Sequence, residues 1–298
     1  MGNGVSEELV SLVSGEWRAL IHPLGAELQS LRDGAGREYM TDVDPAYWTG
    51  HAPLLFPIIG ALRGDAFRHE GREYTLPRHG FARRSRFAIA ARSEDAVTFA
   101  LEDSEATRAV YPFAFRLEMA FRLHGGALHM AATVHNRGEA VMPFSFGYHP
   151  AFAWPLPGGG EKTAHHIIFE KDEPEQIRRL SKATGELLPG GEATPVAGRE
   201  LALHETLFEA DAMVWTGLAS RALRYTSPQG PALDIAFPDS PDLGLWQVPG
   251  AHYLCIEPWA GYADPLGFDG EIGQKPGIVL LPPGESRSFR MDVRVSAG

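Results

Sequence analysis

The sequence predicts an all-β fold, a large antiparallel β-sandwich with a few short helices, and three observations lead to this prediction. Runs in which apolar and polar residues alternate recur along the chain, and this alternation is typical of strands that bury one face. The chain contains 33 glycines and 23 prolines among 298 residues, so turns interrupt these runs and keep them short. Helical windows are few. Many short strands separated by turns are typical of two packed sheets.

Eight runs have the two-residue period of a strand. In chain order they are residues 26–31, 86–91, 95–101, 115–123, 127–135, 220–226, 231–237 and 286–295. Three intervals between alternating runs contain Gly or Pro and therefore predict hairpin turns, at residues 69–72, 124–127 and 227–230.

Two short windows favour helix, residues 102–109 and residues 204–209. The first has the capping residue Ser104 near its start. The segment 154–162 is rich in Pro and Gly, but strand-like sequence resumes on both sides of it. We therefore interpret it as a long surface loop rather than a domain boundary. The chain is predicted to form a single domain over residues 1–298, although its length alone would allow two.

Charge and hydropathy limit the expected partners. The chain carries 27 Lys and Arg against 38 Asp and Glu, a formal charge of −11, and it has no block of basic residues, so we predict no nucleic-acid partner. No run approaches the ~18 apolar residues of a membrane span, and residues 1–17 lack the basic region of a signal peptide. We expect a cytoplasmic protein with no membrane partner that exists as a monomer or homodimer.

Several common chemistries are not indicated by the sequence. The single cysteine, Cys255, excludes an internal disulfide and a cysteine-based zinc site. No GxxxxGK[ST] phosphate loop, HExxH motif or GxSxG motif is present. His165 and His166 are adjacent, so on a strand they would point to opposite faces. No three ligands have the usual metal spacing, and we therefore predict no metal site.

Three segments are unusual for a plain sandwich, because each places one ionisable residue among aromatics, Gly and Pro. His79 lies in PRHGFARRSRF, His149 in PFSFGYHPAF and Glu257 in YLCIEPWAGYADP. A charged residue beside Trp259 at the end of an apolar strand is costly to bury unless it has a purpose there. Burial would also raise the pKa of the Glu257 carboxyl, which suits a general base.

These segments carry a resemblance to a known family. HGFAR at 79–83, FGYHPAF at 146–152 and CIEPWAG at 255–261 together resemble the aldose 1-epimerase (galactose mutarotase-like) family, most closely its LacX-like branch, which bears HGFAR. Further similar segments are residues 53–67, 207–215 and 281–286, and the resemblance runs in order from about residue 16 to the end. It implies a galactose-mutarotase-like sandwich, a cleft on one sheet, a small sugar as the partner and no cofactor.

The family's reaction, the exchange of sugar anomers, needs a base for the C1 hydroxyl proton and an acid for the ring oxygen. Each such group contributes roughly 10²–10⁴ in rate. The resemblance implies that Glu257 is the base, that His149 is the acid and that His79 stabilises the developing charge. From the residues alone, a structural ion pair for Glu257, a core imidazole for His149 and a turn residue for His79 remain open.

The resemblance also implies four substrate-binding residues. Arg63 and Asp211 would contact sugar hydroxyls, and Trp246 and Trp259 would present their faces to the C–H surface of the sugar. From the residues alone, a surface arginine, a turn or capping aspartate and two core tryptophans remain open.

The leading hypothesis is an isomerase, an aldose 1-epimerase (mutarotase) acting on a hexose. A hexose 6-phosphate is the alternative substrate, because Arg83, Arg84 and Arg86 follow His79 closely and arginine binds phosphate, although the net charge of −11 favours a neutral sugar. A carbohydrate-binding protein or a structural protein on the same fold would have no need of a base at Glu257. A lyase or hydrolase would want two catalytic carboxylates, and the sequence offers one well-placed carboxylate.

Overall fold

The computed structural model describes residues 9–297, and within them it contains 22 β-strands. Residues 1–8 of the N-terminal segment considered for a signal peptide lie outside the described residues. In chain order the strands are β1 (Val10–Ser14), β2 (Trp17–His22), β3 (Glu27–Arg32), β4 (Leu54–Leu55), β5 (Ala66–His69), β6 (Arg72–Thr75), β7 (Ala88–Arg92), β8 (Ala96–Glu102), β9 (Phe115–His124), β10 (Ala127–Asn136), β11 (Met142–Phe144), β12 (Phe146–Tyr148), β13 (Ala151–Ala153), β14 (His166–Phe169), β15 (Glu200–Ala202), β16 (Met213–Trp215), β17 (Ala222–Thr226), β18 (Pro231–Ala236), β19 (Asp242–Trp246), β20 (Tyr253–Ala260), β21 (Val279–Leu281) and β22 (Ser286–Ala297).

The predicted helices are short, as expected from the sequence. One α-helix, α1 (Glu105–Val110), begins after Ser104, whose hydroxyl accepts the backbone N–H of Thr107. The window at 204–209 forms a single 3₁₀ turn. The 3₁₀ turns of the described chain are Arg63–Asp65, Ala82–Arg84, Lys162–Ala164, Glu205–Phe208 and Ile272–Gln274.

All eight strands predicted from the two-residue period are present, and their bounds differ from the predicted ones by two residues or fewer. The three predicted turns join β5 to β6, β9 to β10 and β17 to β18. The segment 154–162 contains no strand and follows directly on β13. The all-β prediction is therefore confirmed.

Two antiparallel sheets form the layers of the sandwich. One has nine strands in the order β15-β14-β17-β18-β22-β10-β9-β8-β7, and the other has six, β16-β19-β20-β12-β4 with β13 paired to β20. The layers meet where the Phe146 ring stacks on Phe289 at a centroid distance of 5.2 Å. The Tyr148 hydroxyl donates to the Phe289 carbonyl at 2.8 Å and accepts the Ala132 N–H at 3.0 Å.

Strand β20 is buried on both faces, which explains why its residues other than Glu257 are largely apolar. Leu254 and Ile256 pack into the core between the sheets, whereas Cys255 and Trp259 belong to apolar clusters on the opposite side. Because side chains alternate along a strand, Glu257 lies on the same side as Cys255 and Trp259. A cleft lined by Glu257 and Trp259 lies on this outer face of the six-stranded sheet.

Among residues 9–297, no helix is both long and apolar enough to span a bilayer.

Candidate active site

Three neighbouring strands direct the site residues to one face. Glu257 and Trp259 extend from β20, Trp246 from the end of β19, and His149 from the residue after β12. All four line one cleft with a volume of about 320 Å³. This volume lies at the lower end of the range for small-molecule pockets. His79 and Asp211 line the same cleft, so the structure brings together six of the seven residues that the sequence singled out.

Glu257 and His149 form a buried acid–base pair. The Glu257 Oε2 lies 3.2 Å from the His149 Nε2, and their side chains are 3% and 10% exposed. Burial raises the pKa of Glu257 well above its usual value, and the nearby Asp211 carboxylate raises it further. Burial lowers the pKa of His149 to about 3. Both groups therefore resist carrying a charge in isolation, and at 3.2 Å one proton can pass between them.

His79 is held as a neutral hydrogen-bond donor. Its Nδ1 accepts the backbone N–H of Gly60 at 3.1 Å, so the ring proton of the neutral imidazole is on Nε2. Its own backbone N–H donates to the Gly60 carbonyl at 2.9 Å, which fixes its left-handed conformation at a φ of 66°. Burial and the neighbouring His149 and Arg83 lower the pKa of His79 well below its usual value. The His79 ring meets the His149 ring edge-on at 5.9 Å.

The rest of the HGFAR segment anchors His79 against β4 and the core. Gly80 has a φ of 70° and passes so close to Phe56 that a Cβ would overlap the Phe56 carbonyl. The backbone N–H groups of Phe81 and Ala82 both donate to that carbonyl, at 3.0 and 3.2 Å. The Phe81 ring packs on Phe56, and Ala82 is fully buried. Each residue of the motif therefore has a physical task, and the segment ends with Arg83 at the cleft.

Trp259 forms the floor of the cleft because two glycines leave room for its ring. A Cβ on Gly147, which pairs with Trp259 across β12 and β20, would lie 2.5 Å from the Trp259 Cδ1. A Cβ on Gly244, in β19 on the other side, would lie 2.7 Å from the far edge of the ring. The indole is therefore laid across the sheet between two backbones. The residue is only 4% exposed and forms an aromatic floor between them.

The cleft wall contains residues that the sequence analysis did not predict there. The Trp48 ring lies 5.1 Å from the His149 ring and meets Trp246 edge-on at 5.5 Å. Arg78 lines the cleft beside Arg83. Trp48 and Arg78 lie in loops without periodicity, so no sequence pattern pointed to them. The only available signal for Arg78 was that it directly precedes His79.

Arg63 is placed elsewhere. It lines a separate cavity with Arg68, Phe268 and Lys275, and its backbone N–H donates to Asp264 Oδ2 at 3.0 Å. The next residue, Gly64, has a left-handed conformation with a φ of 64°. The positions that bring guanidinium groups into the cleft are Arg78 and Arg83 instead.

The structure also differs from the expectation that no three metal ligands converge. A ring nitrogen of His149, the Cys255 Sγ and a carboxylate oxygen of Glu257 all lie within 4.8 Å of one another. Cys255 and Glu257 are two positions apart and therefore share a face of β20, whereas the approach of His149 depends on strand pairing that the local sequence does not reveal.

The arrangement can move protons and bind hydroxyl groups. It offers a carboxylate in contact with an imidazole, a neutral imidazole donor, a second carboxylate at Asp211, two guanidinium groups and an aromatic floor.

Comparison with known proteins agrees with the resemblance carried by the sequence motifs. The family model described as aldose 1-epimerase matches residues 8–294. The chain belongs to the aldose 1-epimerase family. It is 32% identical over 282 residues to the chromosomal LacX protein of Lactococcus lactis subsp. lactis, covering 91% of this chain and 94% of that protein. The resemblance to the LacX-like branch, inferred from HGFAR, is thereby confirmed.

Solved structures of the family share the fold closely. A galactose mutarotase related enzyme from Lactobacillus acidophilus superposes with a TM-score of 0.88 at 29% identity, covering 97% of this chain and 98% of that one. A galactose mutarotase-like protein from Lactobacillus casei gives a TM-score of 0.88 at 27% identity, covering 97% and 100%. Each of these two matches extends over almost the whole chain.

Proposed function

We propose that this protein is a mutarotase that interconverts the α and β anomers of a hexose by general acid–base ring opening. The observation that carries the proposal is the contact of 3.2 Å between Glu257 and His149 in the cleft. In a cyclic sugar the C1 hydroxyl and the ring oxygen are both bonded to C1. A base and an acid that serve these two oxygens must therefore lie side by side.

The proposed reaction uses one proton at each of the two positions. In the reactive form of the pair the shared proton has passed from Glu257 to His149. Glu257 then takes the proton of the C1 hydroxyl, His149 gives its proton to the ring oxygen, and the C1–O5 bond breaks to leave an open-chain aldehyde. After rotation about C1–C2, His149 takes back the proton of the C5 hydroxyl as O5 attacks the other face of the aldehyde. Glu257 then returns its proton to the new C1 hydroxyl, so the pair ends as it began.

The surrounding residues offer the sugar a hydrogen-bond donor, an acceptor and apolar contacts in fixed positions. The Nε2–H of His79 is a neutral donor whose orientation is set by Gly60, so it can stabilise negative charge on a sugar oxygen without competing for protons. Asp211 is the proposed acceptor for a sugar hydroxyl, and Trp259 and Trp246 are the proposed apolar contacts.

Polarimetry tests the proposal directly. Freshly dissolved α-D-glucose, α-D-galactose and α-D-xylose should each be followed with and without the protein, and at least one should equilibrate faster in its presence. If all of these sugars and glucose 6-phosphate equilibrate at the buffer rate, the enzyme proposal is wrong. Binding of a sugar without acceleration would favour the alternative of a non-catalytic carbohydrate-binding protein.

A second candidate function, mutarotation of a hexose 6-phosphate, has an observation of its own. Arg78 and Arg83 both line the cleft, and within the described chain neither forms an ion pair with a carboxylate. The Arg83 Nε is buried and lacks a hydrogen-bond partner there. The Arg83 Nη2 donates to the Arg78 carbonyl at 3.2 Å, but guanidinium groups without a carboxylate partner are suited to a phosphate group. Arg84 is exposed and does not line the cleft.

The two substrates are separated by kcat/KM for glucose and glucose 6-phosphate at low and high salt. A phosphosugar preference above about tenfold that weakens with salt, and that Arg78→Ala or Arg83→Ala abolishes, would establish the second candidate. Arg84→Ala is the matched control, because it removes the same charge from outside the cleft. An equal loss in Arg84→Ala would mean that net charge rather than the cleft sets the preference.

The cytoplasmic location and the monomeric or homodimeric state stay predictions from the sequence.

A further inference from the structure

We propose that Cys255, His149 and Glu257 form an inhibitory site for a soft divalent cation such as Zn²⁺ at the wall of the cleft, with the buried Cys255 behind the two residues that line it. The effect on turnover rests on the proposed function, because two of the three ligands are the proposed acid and base. The binding itself does not depend on that function.

The three side chains converge from two neighbouring strand segments. Cys255 and Glu257 lie on the same face of β20, and Ala151 of β13 pairs with Cys255, which brings the preceding His149 alongside. Their ligand atoms lie within 4.8 Å of one another. A tetrahedral zinc ion with bonds of ~2.0–2.3 Å could reach all three after small side-chain movements.

One buried polar atom of the cluster lacks a partner, which is an independent observation. The Nδ1 of His149 is buried and has no hydrogen-bond partner within residues 9–297, whereas its Nε2 already faces the Glu257 Oε2 at 3.2 Å. Buried polar atoms are rarely left unsatisfied. Sugar hydroxyls can satisfy the imidazole and the carboxylate, but only a soft cation gains a strong bond from the adjacent thiol as well.

The donor set selects the type of metal. One sulfur, one nitrogen and one oxygen ligand suit Zn²⁺ and its spectroscopic substitute Co²⁺, whereas Mg²⁺ and Ca²⁺ require oxygen ligands. Binding converts the Cys255 thiol to a thiolate and releases its proton to the buffer, so the affinity should rise with pH. His149 and Glu257 line the cleft, which leaves the fourth ligand position to a water molecule.

A bound cation would stop the proposed reaction. It would occupy the lone pairs with which Glu257 and His149 accept protons, and it would fill the position of the sugar's C1 oxygen. Inhibition should therefore be competitive with the sugar and reversible by EDTA, while EDTA alone leaves the metal-free enzyme active.

The first test requires no catalysis. Co²⁺ is titrated into the full chain at neutral pH, and the thiolate-to-cobalt charge-transfer absorption is recorded for the wild-type protein, Cys255→Ala and Cys255→Ser. We expect the band in the wild-type protein and in neither variant, with circular dichroism confirming that all three are folded. Absence of the band from the wild-type protein would overturn the site, whether or not the protein is a mutarotase.

The second test measures inhibition of mutarotation by Zn²⁺. Cys255→Ala should raise the inhibition constant by roughly tenfold or more, and equal concentrations of Mg²⁺ or Ca²⁺ should have no effect. His129→Ala is the matched control, because His129 contacts Asp292 on the surface far along the other sheet. Inhibition that is unchanged in Cys255→Ala, or relieved by His129→Ala instead, would show that zinc acts elsewhere and would overturn the proposal while leaving the mutarotase proposal intact.

Discussion

At the scale of single residues, the HGFAR segment shows how one backbone contact positions a functional group. The Phe56 carbonyl accepts two N–H groups of the segment, and it can do so only because Gly80 lets the chain approach it. The left-handed conformations of His79 and Gly80 then present the imidazole to the cleft. The motif is thus as much a packing device as a set of chemical groups.

Gly80→Ala should therefore be much more harmful than an alanine at an otherwise similar glycine. Gly71 has a φ of 73°, close to the 70° of Gly80, but a Cβ there would meet nothing within 4 Å. Both substitutions carry the cost of a left-handed alanine, about 1–2 kcal/mol. Gly80→Ala adds the overlap with Phe56, about 1–3 kcal/mol more in the free energy of unfolding.

Chemical denaturation of Gly80→Ala and Gly71→Ala measures this difference, and polarimetry measures its effect on turnover. Gly80→Ala should lose activity as His79 shifts, while Gly71→Ala keeps it. Equal destabilisation by the two variants would show that the conformation of Gly80, and not its contact with Phe56, is what matters.

At the scale of elements, the end of β20 is tied to the start of β19 by one buried carboxylate. Asp242 accepts the N–H of Gly261 at 2.9 Å through Oδ2 and the N–H of Gly217 at 2.9 Å through Oδ1. Burial raises the pKa of Asp242 to about 6, although both N–H groups lower it. Ionisation of this carboxylate in the folded protein therefore costs free energy.

This cost predicts a specific pH dependence. Because the pKa of Asp242 is higher in the folded chain than the usual 3.8, the folded state binds more protons than the unfolded state between about pH 4 and 6. The contribution of Asp242 to the free energy of unfolding must therefore fall as the pH rises through this window and stay constant above it. The shift of about two units corresponds to about 3 kcal/mol.

The measurement is the difference in the free energy of unfolding between the wild-type protein and Asp242→Asn, from pH 4 to 7. We expect the wild-type advantage to shrink by up to about 3 kcal/mol as the pH rises. Asp239→Asn is the control, since bonds to Arg290 lower the pKa of Asp239 and its titration lies below this window. A wild-type advantage over Asp242→Asn that is flat or increases with pH would contradict the account.

At the scale of the whole molecule, the sequence predicts where the strands lie better than it predicts which strands pair. Period-two alternation located strands such as β9 and β10 because each buries one face. It said less about β20, whose two buried faces remove the alternation. The fold class therefore followed from local patterns, whereas the pairing of β12, β19 and β20 that builds the cleft did not.

The residues of the candidate site were likewise predicted from the sequence only in part. Glu257, His149 and His79 were singled out because each is an ionisable residue among aromatics and glycines, and the resemblance to the family supplied their roles. Arg63 was named from a similar segment, but it lines another cavity. Long-range pairing decides which side chains meet, and a single sequence does not record it.

The two sheets also act together on the site. The Tyr148 hydroxyl forms hydrogen bonds that connect β12 to β22 and β10 of the opposite sheet. Tyr148 directly precedes His149 in the chain. The proposed acid is therefore positioned by the sandwich as a whole rather than by its own strand alone.

The most direct test of the central claim is the turnover number of Glu257→Gln, measured by polarimetry on whichever aldose the wild-type protein equilibrates fastest. Glutamine keeps the size of the side chain and removes the base, so kcat should fall by about 10² or more while the melting temperature shows a folded protein. His149→Asn should behave similarly. A folded Glu257→Gln protein that turns over near the wild-type rate would contradict the assignment of Glu257 as the base, and with it the acid–base pair at the centre of this account.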